Sequence, residues 1–201
     1  MAPAQQLPAP NRPLTGFPEA IIPDGTPVYR AFNVSRSPGF YTSGRGGRFN
    51  LVTPRGTLYF ASDIDTAVRE KVREAVVTSR IISRGMADSF HVAVFNADGV
   101  RGADLAHVAA ARFGVTRELG TMDDYTVTRA WAAAFDAEGF DGVHYGSRFT
   151  TRQAAAWAVF GAEGETDLCA TSVISGDEAC QIAHITVAGP IVSAESADIL
   201  E

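Results

Sequence analysis

Four arginines crowd one short stretch of this chain: Arg36, Arg45, Arg48 and Arg55 lie in or beside the segment GRGGRFN, residues 44–50. Glycine lets backbone N–H groups close on a ligand, and guanidinium groups offer paired donors, so the stretch holds the ingredients of a phosphate site. Spacing by itself favours a plainer reading, a solvated loop with scattered arginines. The segment is not a Walker loop, since G-x-x-x-x-G-K-[ST] is absent from the chain. Nor does it open a helix directly after a strand, as a dinucleotide fingerprint does.

The elements that would position these groups lie on either side. PVYRAF reads as a strand in which Arg30 faces away from Tyr29 and Ala31. Alone, Arg30 would be an exposed edge-strand arginine. TLYFA, residues 57–61, is a second strand signal, and residues 62–77 read as a helix with Ser62 as its cap and Asp65 near the positive end. Ile64, Val68, Val72, Ala75 and Val76 form its apolar stripe. Glu70 falls nearly opposite that stripe, the place of a solvated glutamate, and Glu74 one turn later is a competitor of the same type.

Further along, FHVAVF (90–95) reads as a strand closed by the turn NADG, and residues 103–113 carry a short helical pattern. Asp123 or Asp124 caps a helix over 125–138 with Val127, Ala130, Trp131, Ala134 and Phe135 on its apolar face, stopped by Gly139. FDGVHY (140–145) then forms a strand that delivers Gly146, Ser147 and Arg148 to a strand end, where reactive groups are often presented. TRQAAAWAVF (151–160) reads as a final helix with Trp157 and Phe160 inward, and a strand follows near 182–187. A nucleophile elbow needs G-x-S-x-G, of which YGSRF supplies half, and no His–acid pair shows at the level of sequence. Ser147 is therefore no triad nucleophile; it reads as a turn serine or a hydrogen-bonding group.

The ordered set VYRAF, GGRFN, LYFAS, DTAVRE, FDGVHYGSRF and AAAWAVFG, spanning residues 28–161, resembles the RES domain, named for an Arg, a Glu and a Ser. Those three would be Arg30, Glu70 and Ser147. The resemblance implies an α+β fold, with an ADP-ribosyltransferase-like split or mixed β-sheet core flanked by helices. It implies the toxin half of a bacterial RES–Xre toxin–antitoxin pair, with an Xre-type helix-turn-helix antitoxin as partner, and it implies consumption of NAD+ as substrate, with no cofactor. In that frame Glu70 stabilises the positive charge that builds on the ribose as nicotinamide leaves. Arg30 and Arg48 grip the pyrophosphate. Tyr59 is the first aromatic to stack on a ring of NAD+, ahead of Tyr41 and Tyr145, although strand aromatics usually pack in cores. Ser147 orients the nicotinamide ribose or Glu70, and Arg148 beside it joins the NAD+ contacts. The acceptor names the reaction. Water makes a glycohydrolase and phosphate a phosphorylase; the alternatives are a mono-ADP-ribosyltransferase acting on a protein and a non-catalytic NAD-binding module.

Length and composition bound these readings. At 201 residues, with 46% hydrophobic and 20% charged residues, the chain supports one domain with a real core. Residues 1–25, rich in Pro, Ala and Gln, read as an extended or disordered leader, and 26–201 as the folded domain. The net charge of −6 argues against a nucleic-acid surface. Neither a secretory signal nor a membrane span is evident, so the chain reads as cytoplasmic. Cys169 and Cys180 read as reduced thiols, and the four histidines show no ligand spacing, so no metal is expected. A homo-oligomer stays open.

Overall fold

The computed structural model describes residues 5–10, 12–73, 75, 80–150 and 155–189. Its centre is an eight-stranded mixed sheet. In chain order the strands are β1 (Glu19–Ile22), β2 (Pro27–Asn33), β3 (Arg55–Ala61), β5 (Phe90–Asn96), β6 (Val100–Asp104), β7 (Gly142–Gly146), β8 (Ala155–Ala162) and β9 (Ser172–Ser175). They lie side by side as β1-β6-β7-β8-β3-β2-β5-β9, with β6 and β7 parallel and every other neighbouring pair antiparallel. A two-stranded parallel sheet joins β4 (Ile81–Ile82) to β10 (Thr186–Val187). Four α-helices are described: α1 (Ile64–Val72), α2 (Arg84–Asp88), α3 (Tyr125–Ala137) and α4 (Gly176–Ile182).

The sheet is split at its middle. β3 runs in register with β8 over seven pairs, and β2 with β5 over seven, yet β2 and β3 meet at the single pair Tyr29–Ala61. Each half is thus stitched to its outer neighbour and nearly free of the other, which opens a seam beside Arg30.

Two apolar clusters cover one face. Trp131, Phe135, Phe140, Val143 and Tyr145 pack α3 against β7 and β8, while Val68, Val72, Phe90, Ala179 and Cys180 pack α1 and α4 against β5. Val28, Phe32, Leu58, Phe95, Trp157 and Val159 fill the opposite face. Each fully buried large side chain of this kind contributes about 1.5–3 kcal/mol, so three clusters are ample for a domain of this size.

β8 explains one departure from the sequence pattern. The structure makes residues 155–162 a strand where a helix over 151–160 is predicted; residues 151–154 lie outside the described set. β8 sends Ala156, Ala158 and Phe160 to one face and Trp157 and Val159 to the other, so neither face carries the polar residues that make period two visible. The pattern at 103–113 resolves into the end of β6 and a 3-10 turn, Val108–Phe113, and the tail strand predicted near 182–187 into α4 plus the short β10. Asp63, not Ser62, caps α1, its carboxylate accepting from Thr66 N at 2.8 Å. Glu74, Val76 and Val77 lie outside the described residues.

The first 25 residues are no loose leader where they are described. Gln5 is buried, and its side-chain oxygen accepts from Thr116 N at 2.8 Å. Trp131 Nε1 donates to Gln6 O at 2.9 Å. Phe17 packs on Phe135, with ring centroids 4.9 Å apart, and β1 extends the sheet from β6. Packing therefore starts well before Thr26, because a few apolar anchors hold a segment whose composition is that of a linker.

Candidate functional site

The seam between β2 and β3 floors a cavity of about 220 Å³. Tyr29, Arg30 and Ala31 of β2, Tyr59 to Ala61 of β3, Glu70 and Lys71 of α1, and Tyr145 of β7 line it together with Gly47, Arg48, Arg73, Tyr125, Arg148 and Phe149. Its charges are lopsided. Among the described residues Arg30, Arg48, Lys71, Arg73 and Arg148 stand around one carboxylate, Glu70.

Arg30 is the deepest of these cations. Nη2 donates to Phe40 O at 3.1 Å, while Nε is buried with no hydrogen-bond partner among the described residues. Burial pulls its pKa down from the ordinary guanidinium value to about 10, despite the nearby Tyr41 and Tyr59 hydroxyls. A desolvated guanidinium with an unanswered donor is costly unless an anion comes to it.

The glycine-rich loop is clamped to β3 by Tyr59. Its hydroxyl accepts from Phe49 N and donates to Asn50 Oδ1, each at 2.9 Å, and burial holds its pKa well up. Thr57 Oγ1 adds a second tie, donating to Phe49 O at 3.0 Å and accepting from Leu51 N at 3.1 Å. Gly47 is required here. A Cβ on it would stand 2.1 Å from Asn50 Oδ1 and 2.6 Å from the Tyr59 hydroxyl. Arg48, carried by this loop, donates to Met122 O and lies 5.3 Å from the Tyr125 ring centre, which Arg129 also approaches at 5.6 Å.

Glu70 reaches the cavity because α1 lies across the seam, so the helix face opposite its apolar stripe looks into a cleft. The Glu70 carboxylate also adds to the burial that raises the Tyr145 hydroxyl well above its ordinary pKa, which puts the two groups close together. Tyr145 packs tilted against Phe49, ring centroids 5.1 Å apart, and links the loop to β7.

A sequence model of the RES domain matches residues 27–179. This chain belongs to the RES domain family. The crystal structure of the M. tuberculosis MbcT-MbcA toxin-antitoxin complex contains a chain of the same fold: 14% sequence identity, a TM-score of 0.60, and a match covering 79% of this chain and 88% of that one. No curated protein matches in sequence.

Within this RES domain the predicted site residues separate. Arg30, Arg48, Tyr59, Glu70 and Arg148 share the cavity wall. Arg148 ion-pairs with Asp123 at 2.6 Å and donates to Thr121 O at 2.9 Å. Ser147 is buried behind the wall, its Oγ accepting from Phe149 N at 3.2 Å within the turn that carries Arg148 and Phe149. Tyr41 lines a second cavity of about 310 Å³, beside Val28, Phe60 and Phe95. Its ring lies against Gly161, where a Cβ would stand 2.6 Å from it. Of the loop arginines, Arg36 and Arg45 are exposed, and Arg55 pairs with Asp136 at 2.7 Å.

The structure also supplies groups that sequence spacing does not single out: Lys71, Arg73, Tyr125 and Phe149. A charged residue next to Glu70 on the polar helix face was the one available signal for Lys71. A His–acid pair does exist, His144 Nδ1 with Asp104 Oδ1 at 2.8 Å, but His144 alternates away from Val143 and Tyr145 and packs on Trp157, on the sheet face opposite α3. Both cysteines are free, Cys169 exposed and Cys180 buried. Among the described residues no three His, Cys, Asp or Glu side chains gather as a metal site, and no helix is long and apolar enough to cross a membrane.

Proposed function

We propose that this RES domain cleaves the nicotinamide–ribose bond of NAD+, with water or phosphate as acceptor, and serves as the toxin of a toxin–antitoxin pair. One observation carries the reading. Arg30, whose buried Nε has no hydrogen-bond partner among the described residues, lines the same cavity as Glu70, the single carboxylate among the described residues of its wall. A ligand that suits both must be anionic at one end and must develop positive charge at the other, which is the electrostatic profile of NAD+ as nicotinamide departs.

In this reading Arg30 and Arg48 hold the pyrophosphate by charge-assisted hydrogen bonds. The electron pair of the C1′–N1 bond leaves with nicotinamide, cancelling the pyridinium charge, and the ribose passes through an oxocarbenium-like state that the Glu70 carboxylate stabilises. Oxygen of water or phosphate then bonds to C1′; water gives up a proton and yields ADP-ribose, and phosphate yields its 1″-phosphate ester. Tyr59 and Tyr145 supply the ring faces nearest these groups, and Ser147 holds the turn that presents Arg148 and Phe149. The fold shared with the MbcT-MbcA complex supports a partner antitoxin. An Xre-type helix-turn-helix protein that suppresses NAD+ loss on co-expression would be that partner.

The test is to incubate the purified protein with NAD+, with and without inorganic phosphate, following nicotinamide release and product mass. Release that disappears in Glu70→Gln supports the enzyme, and the product mass names the acceptor. If the parent protein releases no nicotinamide in either buffer, the reading is wrong. A product mass attached to a protein would instead identify an ADP-ribosyltransferase.

A further inference from the structure

The cations of the cavity are not equally occupied. Arg148 has Asp123, and Arg48 has the Met122 carbonyl and the Tyr125 ring. On α1 itself Arg69 is paired with Asp65 at 2.8 Å. Lys71 and Arg73, at the end of the same helix, line the cavity with no side-chain acceptor among the described residues. Arg30 beside them has one carbonyl, Phe40 O, among the described residues. Three positive groups thus share one wall with Glu70 as its one carboxylate among the described residues; burial lowers the pKa of the half-buried Lys71 ammonium, and Arg30 and Arg73 push it down further. Structural cations are normally placed where an acid answers them; a cluster that repels itself in the free protein is arranged for an anion of more than one charge.

We propose that Lys71 and Arg73, with Arg30, form a cradle for two phosphates in tandem, so that the site selects diphosphate-bearing ligands over mononucleotides and nucleosides. This rests on the NAD+ reading for its substrate and extends it to two residues and a basis of specificity. Arg30 closes on one phosphate from the floor of the seam, while Lys71 and Arg73 meet the other from the helix end. Glu70, one residue before Lys71, stays clear for the ribose.

The probes are ADP, AMP and adenosine, titrated calorimetrically into the full-length parent, Lys71→Met, Arg73→Gln, the double variant and Lys71→Arg. Each single loss should weaken ADP about tenfold or more, the effect of removing one charged hydrogen-bond partner. Adenosine binding should stay the same, the ADP-over-AMP preference should collapse in the double variant, and Lys71→Arg should restore most of it. Thermal melts of every variant show that the fold is kept. In nicotinamide release the loss in Lys71→Met should fall on KM rather than kcat. Unchanged ADP affinity in the double variant, or a parent that does not distinguish ADP from AMP, overturns the cradle. A parent that prefers ADP through Lys71 yet leaves NAD+ intact sinks the enzymatic reading and keeps the cradle.

Discussion

Arg30→Met should make the protein more stable and useless at once. Burial lowers the Arg30 pKa from the ordinary guanidinium value to about 10. At about 1.4 kcal/mol per pH unit, the charged guanidinium costs the free fold roughly 3 kcal/mol at neutral pH. The sign follows from linkage: folding lowers the pKa of a base, so the cost is present in full below about pH 10 and fades as pH rises toward the ordinary guanidinium pKa. Methionine keeps an apolar stem in the seam and removes the charge. It also removes the 3.1 Å bond from Nη2 to Phe40 O, worth about 1 kcal/mol. The balance is a gain of roughly 2 kcal/mol, or about 4–8 °C in Tm for a chain of this length. Differential scanning calorimetry reads that shift, and nicotinamide release by the same sample should be lost. A variant that melts at or below the parent refutes the argument, for it would mean that Arg30 braces the two half-sheets.

Glu70→Gln keeps the shape of the cavity and removes the Glu70 carboxylate, so nicotinamide release should fall about a hundredfold or more while Tm holds, in single-turnover assays. Gly47→Ala forces a methyl onto Asn50 and the Tyr59 hydroxyl, both fixed by other bonds, and should cost about 1–3 kcal/mol in urea denaturation. Ser147→Ala leaves Phe149 N without its acceptor and should raise the KM for NAD+ several-fold through the turn bearing Arg148, with little change in Tm. If kcat falls instead while KM holds, Ser147 acts on the reacting ribose directly.

Legibility followed the range of the forces involved. β2, β3 and β5 could be read from short apolar-aromatic runs bounded by turn residues, and α3, expected over 125–138, spans Tyr125–Ala137. For α3 a one-sided apolar face decides the reading; for the strands it is aromatic and β-branched content between turn residues, although β3 and β5 are buried on both faces. β8 could not be read so, since its alanine-rich run carries the local propensity of a helix, nor could residues 5–25, whose few anchors, Leu14, Phe17 and Gln5, are hidden in a Pro- and Gln-rich composition. Glu70 shows the limit most clearly. By helical periodicity it belongs in solvent, and the periodicity is right: it stands opposite the buried Val68 and Val72.

By itself the sequence determined which segments are strands and helices wherever propensity, periodicity and turn residues agree, and it carried the ordered motifs of the RES domain. Only the tertiary structure decided that β2 and β3 part after one pair, that α1 lies across the gap, and that Arg30, Glu70, Lys71 and Arg73 therefore face one another. The physical reason is that periodicity reports which side of an element avoids water, whereas a cleft is made by what stands on the other side.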